Sequence, residues 1–290
     1  MLINYLIHVA ITICYYTILV VSLNLALGYT GILNLGHVAF FAIGAYTSAI
    51  LTMHGVPFAI AFCAAPLVAG AFGFLLTVLT NRLKGDYVAL ATLGFSFVTV
   101  SVINNWRSLT RGPYGIPGIE KPNIFGWYIH SNAWYLLFVF IIAALIVFLV
   151  YRITHSRYGT LLEAVRDDAI GIVALGKNVF KLKYQAMMIS AACAGIAGSI
   201  FAHYITYVHP SNFFLADIIL LISIVIVGGL ASVKGSVAGT ALLIFLTESL
   251  RFIDLPSSIV GPARLIMYSV LLLVILMYRP RGLFGRIDLS

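Results

Sequence analysis

The chain has 290 residues, of which 62% are hydrophobic and only 9% charged, against about 25% charged in an ordinary globular domain. That composition excludes a soluble enzyme and predicts an all-α integral membrane protein; the length holds about eight to ten spans of about 20 residues, with no room for a separate soluble catalytic domain. A net charge of +8 would point to nucleic acid in a soluble protein, but here the basic residues sit in short loops that orient the chain, so lipid is the expected environment and nucleic acid is not a partner.

Met1 to Tyr5 lacks the positive region that a signal peptide places before its apolar stretch, so the first apolar run is kept as the first span. Nine apolar segments follow from the pattern: about 5–27, 31–53, 57–80, 87–104, 133–152, 184–207, 214–232, 236–250 and 263–279. The segments 87–104 and 236–250 are shorter than a comfortable span and are the candidates for broken or re-entrant helices, which need protein or water around their backbone. The whole reads as one transmembrane domain, 1–290, with a cytoplasmic loop at about 153–183 and an outer loop at about 105–132. Cys14, Cys63 and Cys193 stand alone in apolar runs and are expected as small core residues, with no metal site.

Orientation follows from the basic residues. One set of alternate loops holds twelve (Arg82, Lys84, Arg152, Arg157, Arg166, Lys177, Lys181, Lys183, Lys234, Arg279, Arg281, Arg286). The other set holds five: Arg107, Arg111, Lys121, Arg251 and Arg264. The asymmetry places the N-terminus outside and the C-terminus inside.

Residues 24–48, NLALGYTGILNLGHVAFFAIGAYTS, depart from a simple lipid-facing helix: Gly28, Gly31, Gly36 and Gly44 allow close helix approach, while Asn24, Asn34, His37 and Tyr46 carry polar groups to membrane depth. Either the polar groups line a path or they are satisfied inside a packed core. Asn34, His37 and Tyr46, with Asn104 at the end of a later span, are the candidate substrate-pathway residues. The turn Arg82-Leu83-Lys84-Gly85-Asp86 places Asp86 to cap the next helix. The outer loop carries Gly112, Pro113, Gly115, Pro117 and Gly118, which predict rigid turns rather than a helix, and it is flanked by the interfacial aromatics Trp106, Trp127, Tyr128 and Trp134. It is an anchored connector or a lip over the outer mouth.

Ser156 to Tyr184 is the longest polar-punctuated stretch. Thr160-Leu161-Leu162-Glu163 reads as a capping box, so a helix is expected to start there, with Leu161, Val165, Ala169 and Ile172 as one apolar stripe and Glu163, Arg166 and Asp167 facing away from it. Gly176 is the expected left-handed stop, and Asn178 the cap of the next helix. Such a short amphipathic helix is either an interfacial connector or a docking helix for a soluble partner. Beyond it, Ala191, Ala192, Ala194, Gly195, Ala197, Gly198 and Ser199 form a very small face suited to tight helix packing. Gly228-Gly229 bends the backbone, Lys234 is expected in a cytoplasmic turn, and Glu248 and Arg251 at i, i+3 are placed to pair.

The chemistry narrows the class. No phosphate loop, H-E-x-x-H or cysteine pair occurs, so neither a catalytic residue nor a metal site is expected in this chain. Asp217 and Glu248 lie near outer span ends, which argues against a proton-coupled carrier. A passive pore, a carrier coordinating ions through carbonyls, or a pore driven by a docking partner remain. A membrane enzyme is a poor third, since no nucleophile, base or metal set converges.

Seven blocks in register then carry a resemblance: SLNLALGYTGILNLGHVAFFAIGAY, RLKGDYVALATLGF, NNWRSLTRGPYGIPGI, RYGTLLEAVRDD, ISAACAGIAGSIFA, IVGGLASVKGSVAGTALL and RPRGLFG. The chain resembles the permease subunits of bacterial ABC importers for branched-chain amino acids, and within them the LivM-type subunits. The resemblance implies an inner-membrane permease that forms half of a translocation path beside a related LivH-type permease. It also implies two cytoplasmic ATPases that bind ATP and Mg, no cofactor in this chain, and a periplasmic binding protein. The ATPase-coupling loop would then run from Glu163 to Lys177, with Thr160, Glu163, Ala164, Arg166, Asp167, Asp168 and Gly176 as its contact set. The same superfamily includes urea and short-chain amide importers, which is the nearest alternative. Asp167-Asp168-Ala169, Arg111 and Tyr114 depart from the family pattern.

Overall fold

The computed structural model describes residues 2–83, 85–124, 127–129, 131–249, 257–279 and 281–285. Lys84, Arg251 and Arg286, invoked above for orientation and for pairing with Glu248, lie outside the described residues, as do the side chains of Trp127 and Tyr128.

Among the described residues the nine apolar segments become nine helices: α1 (Leu2–Asn24), α2 (His37–Met53), α3 (Phe58–Thr80), α4 (Asp86–Asn105), α6 (Asn132–Thr154), α9 (Val179–Ile205), α10 (Leu215–Gly228), α11 (Val233–Ser249) and α12 (Ser257–Tyr278). Three short helices sit between them, α5 (Arg107–Thr110), α7 (Arg157–Asp167) and α8 (Ala169–Ala174). Among the described residues, six helical stretches are long and apolar enough to cross a membrane. Expected segment 87–104 is not broken: α4 runs 20 residues from Asp86 to Asn105. The interruption falls instead at Gly228-Gly229, where α10 stops after 14 residues, about 21 Å of helix against a hydrocarbon core of about 30 Å.

Burial sorts the helices into layers. Most of α1 and α9 is enclosed, whereas α4 and α6 are covered on one side only. Leu67, Leu79, Phe97 and Phe148 stand out from α3, α4 and α6 as an exposed apolar coat, which in a bilayer meets acyl chains. Cys63 belongs to this exposed side of α3 rather than to the core, unlike buried Cys193.

The small face of α9 does what its composition predicts. A Cβ on Gly44 of α2 would lie 2.4 Å from the Gly195 Cα, and one on Gly195 would lie 2.8 Å from the Ala65 carbonyl of α3. Backbone therefore touches backbone where α2, α3 and α9 meet, and dispersion over that contact holds them without any hydrophobic contrast with lipid. Above it, Ser199 Oγ donates to Ser48 Oγ (2.7 Å), which bonds His203 Nε2 (2.9 Å), so the polar groups in the seam are satisfied internally.

The outer loop is pinned to the connection between α9 and α10. A two-residue strand, β1 (Ile116–Pro117), pairs antiparallel with β4 (Tyr207–Val208), while β2 (Asn123–Ile124) and β3 (Trp127–Tyr128) form a small hairpin. His203 Nδ1 bonds the Glu120 carbonyl at 2.7 Å and His209 Nε2 the Pro113 carbonyl at 2.8 Å. The turns are present as expected, with α5 as one added helical turn. Trp106 and Trp134 are exposed at its two ends, as interfacial anchors should be.

Two caps differ from expectation. Asp86 is the first helical residue of α4, after Gly85, and makes no cap bond; it acts only by charge at a helix N-terminus. Ser156, not Thr160, caps α7: its Oγ accepts from Gly159 N at 3.4 Å, and Thr160 sits within the first turn, its hydroxyl donating back to the Ser156 carbonyl.

Candidate functional site

The single helix expected from Thr160 to the stop at Gly176 is two helices, α7 and α8, and the first starts three residues earlier, at Arg157. Asp168 takes an extended conformation (φ −149°, ψ 89°) and its Oδ1 accepts from Ile170 N and Gly171 N, both at 3.0 Å. A short carboxylate that satisfies two orphan N–H groups competes with helix continuation, so α7 ends and α8 starts. The buried stripe is accordingly Leu162, Val165 and Ile172; Leu161 and Ala169 are only half-buried. Gly176 stops α8 at φ +73°, and Asn178 Oδ1 accepts from Lys181 N at 2.9 Å to open α9, both as expected.

The break turns apolar side chains outward. Ile170 is 83% exposed, Val173 59% and Leu175 74%, a ledge beside the exposed carboxylates of Asp167 and Asp168. Glu163 and Ala164 are half-buried on α7, and Thr160 is exposed. Tyr158 donates to the Leu182 carbonyl at 3.4 Å, and burial pushes its phenol up to about 12, which keeps the proton that this bond uses.

Arg166 ties this loop to the membrane domain. Its Nη1 donates to the Gly28 carbonyl at 2.8 Å, and Nε is held by Asp167 Oδ1 at 2.8 Å. That carbonyl belongs to a π-helical turn, Leu25–Tyr29, that ends α1. Gly31 lets the arginine stem through, since a Cβ there would stand 2.9 Å from Arg166 Cγ.

One turn earlier, Asn24 joins α1 to the α10–α11 connection. Its Nδ2 lies 3.3 Å from the Gly229 carbonyl, 3.2 Å from the Ser232 carbonyl and 2.7 Å from Ser236 Oγ, while Oδ1 accepts from Ala231 N at 3.1 Å. This one buried amide supplies partners to non-helical backbone inside the protein, which is the condition for such backbone to exist there. Gly28 has no side chain because a Cβ would collide with Asn24 Oδ1 and lie 2.5 Å from Ala231 N. Lys234, expected in a turn, is instead the second residue of α11, and it is exposed there. The α7–α8 segment, the end of α1 and the α10–α11 turn are thus linked by hydrogen bonds through Arg166, Gly28 and Asn24.

The candidate pathway residues are not brought together. Asn34 and His37 are enclosed between α1, α2 and α9: His37 Nε2 bonds Ser22 Oγ at 3.0 Å, and Asn34 Oδ1 accepts from Gly36 N at 3.1 Å. Tyr46 packs on Phe213 with its buried hydroxyl lacking a hydrogen-bond partner among the described residues. Asn104 is exposed at the end of α4.

The cavities lie elsewhere. One of about 490 Å³ opens between α1, α10, α11 and α12 and is lined by Asp217, Glu248 and Arg264. A second of about 490 Å³ reaches from there to Phe41 and Phe201, and the two share Tyr15, Tyr16, Asp217 and Arg264. Sequence reasoning treated these charges as span-end residues; the available signal was that three consecutive apolar segments each carry one at the same end. Glu248 accepts from Tyr5 OH at 3.1 Å.

Comparison with known proteins places this architecture. Residues 5–278 match the family model described as branched-chain amino acid transport system / permease component. The chain is 34% identical to the high-affinity branched-chain amino acid transport system permease protein LivM of Escherichia coli strain K12, over 92% of this chain and 67% of that protein. It is 24% identical to the probable branched-chain amino acid transport permease protein LivM of Methanocaldococcus jannaschii, over 92% of this chain and 90% of that one. It is 25% identical to the high-affinity branched-chain amino acid transport system permease protein LivH of Escherichia coli strain K12, over 93% of this chain and 91% of that protein. No solved structure matches the chain.

Proposed function

Because the chain belongs to the branched-chain amino acid transport permease family, we propose that it is one permease subunit of an ABC importer in a bacterial inner membrane. In this reading it forms half of the path for a branched-chain or closely related small amino acid. A related second permease completes the path, a periplasmic protein delivers substrate, and two cytoplasmic ATPases bind ATP and Mg and supply the work. The N-terminus faces outward and α7–α8 face the cytoplasm, in keeping with the excess of basic residues on that side.

The observation that carries this reading is the α7–α8 ledge. Three large apolar side chains stand exposed on a capped helix pair outside the spans, beside two carboxylates. Exposed apolar surface rimmed by charge is what a docking protein covers. Movement imposed on the ledge has a rigid route inward, because Arg166 grips the π-helical end of α1 and Asn24 grips the α10–α11 turn. The rim residues Thr160, Glu163, Ala164, Asp167, Asp168 and Gly176 complete the contact set, and Asn34, His37, Tyr46 and Asn104 support the surrounding helices or stand at their ends.

The test replaces Ile170 and Leu175 together by Asp, leaving Arg166 and the caps intact. The expected result is at least tenfold less ATPase recovered with the tagged chain, loss of ATP-driven leucine uptake, and an unchanged gel-filtration profile of the permease pair. Wild-type recovery and uptake would return α7–α8 to the role of an interfacial connector.

A further inference from the structure

The two neighbouring cavities, which share four lining residues, carry charges of both signs, and this decides what they can hold. An ionisable side chain within a membrane domain is costly, and it is kept where it faces a water-filled or ligand-filled interior. Asp217 comes from the first turn of α10, Glu248 from the last turn of α11, and Arg264 from α12, so three helices place them around one space. Arg264 Nε is buried without a hydrogen-bond partner among the described residues, and Arg264 lines both cavities, as does Asp217. A guanidinium with an unanswered N–H calls for an acceptor, and a carboxylate is the acceptor whose geometry it fits. Asp217 and Glu248 set carboxylate oxygens on the same wall, Glu248 already accepting from Tyr5 OH, and such oxygens attract a cation. Leu220, Ile244 and Leu265 line the rest with apolar surface.

Resting on the permease reading above, we propose that this chamber, in the outer half of the domain, is a transit site for a zwitterionic aliphatic α-amino acid. Arg264 receives the substrate carboxylate, Asp217 and Glu248 receive the ammonium, and the apolar wall takes the side chain. A volume of about 490 Å³ lies within the range of small-ligand sites. A neutral solute such as urea or a short amide brings no charged acceptor to the Arg264 guanidinium, whose buried N–H would go unanswered by charge on its passage. The chamber therefore selects for the zwitterion within the family's substrate range.

The test uses proteoliposomes holding this chain with its second permease and ATPases, and saturating binding protein loaded with radiolabelled leucine. R264Q is expected to lower ATP-driven uptake at least tenfold and E248Q at least threefold. R264K, which restores the positive charge, is expected to keep a third or more of wild-type uptake. All three should recover the partner subunits at the wild-type level. Wild-type uptake by R264Q overturns the proposal. So does an equal defect in R264Q and R264K, which would assign Arg264 to packing, or a loss of partner recovery in R264Q. Wild-type vesicles that carry urea or acetamide but not leucine overturn it as well and leave the importer standing. Wild-type chain that recovers no ATPases, with no ATP-driven uptake of any of these solutes, is instead the failure of the permease reading itself.

Discussion

Asn24→Asp is expected to damage the protein more than Asn24→Ala does. The alanine variant deletes the amide and leaves Ala231 N–H and the Gly229 carbonyl short of a partner in a buried turn, while the Ser232 carbonyl keeps Ser236 N and Oγ, at a cost of about 2–4 kcal/mol. The aspartate keeps the acceptor for Ala231 N but turns its second oxygen, which cannot donate when ionised, toward two carbonyls and the Ser236 hydroxyl. It must either bury an unpaired charge or hold a proton, so its cost should exceed that of alanine by about 1–3 kcal/mol. Thermal melting of the purified chain in detergent gives the order, and uptake should fall in both variants because the α10–α11 turn loses its tie to α1. An aspartate variant as stable as wild type, or milder than alanine, would mean that the amide does not hold the turn.

Gly195→Val should have the larger effect on folding itself. A Cβ at this position would stand 2.7 Å from Ala69 Cβ and 2.8 Å from the Ala65 carbonyl, and the neighbouring Gly44 already touches the Gly195 backbone. None of these atoms is the end of a flexible side chain, so α9 must move away from α2 and α3 together. A loss of about 3 kcal/mol or more is expected, enough to abolish a monodisperse peak in fluorescence-detected gel filtration. Gly94→Ala on α4 is the control: a Cβ there meets nothing within 4 Å, and the better helix former should leave the chain unchanged or more stable by about 0.5–1 kcal/mol. A valine variant that melts with wild type would mean that the three helices do not meet at Gly195.

Both predictions bear on how force crosses the domain. The seam at Gly195 holds α2, α3 and α9 together by backbone contact. Arg166 and Asn24 attach to a different part, the π-helical end of α1 and the interrupted α10–α11 pair. That pair also carries Asp217 and Glu248 at the end away from its connecting turn. The geometry thus connects the α7–α8 ledge to the charged chamber through α10 and α11, along the length of two helices.

The nine apolar segments, the small face of α9, the left-handed stop at Gly176 and the Asn178 cap were legible because each is set by residues within a few positions of one another. The Thr160 capping box was a local signal that lost to a neighbour, since Ser156 lies one turn earlier and caps first. The break at Asp168 was hidden because its carboxylate reads equally well as a helix surface charge or as a cap. His37 was legible as a polar group at membrane depth, but not its partner Ser22, fifteen residues away on another helix.

By itself the sequence determined the membrane class, the nine long apolar helices to within a few residues, the orienting charge asymmetry and the family. These depend on composition, short-range hydrogen bonding and motifs read along the chain. Only the tertiary structure decided that Arg166 meets Gly28, that Asn24 closes the α10–α11 turn, and that Asp217, Glu248 and Arg264 share one chamber. The reason lies in the solvent. A helix in lipid is apolar on its outer and its packed face alike, so hydrophobic periodicity does not say which side turns inward. Rotation about each helix axis is set by close contact and by buried polar pairs, and those come from residues far apart in the chain.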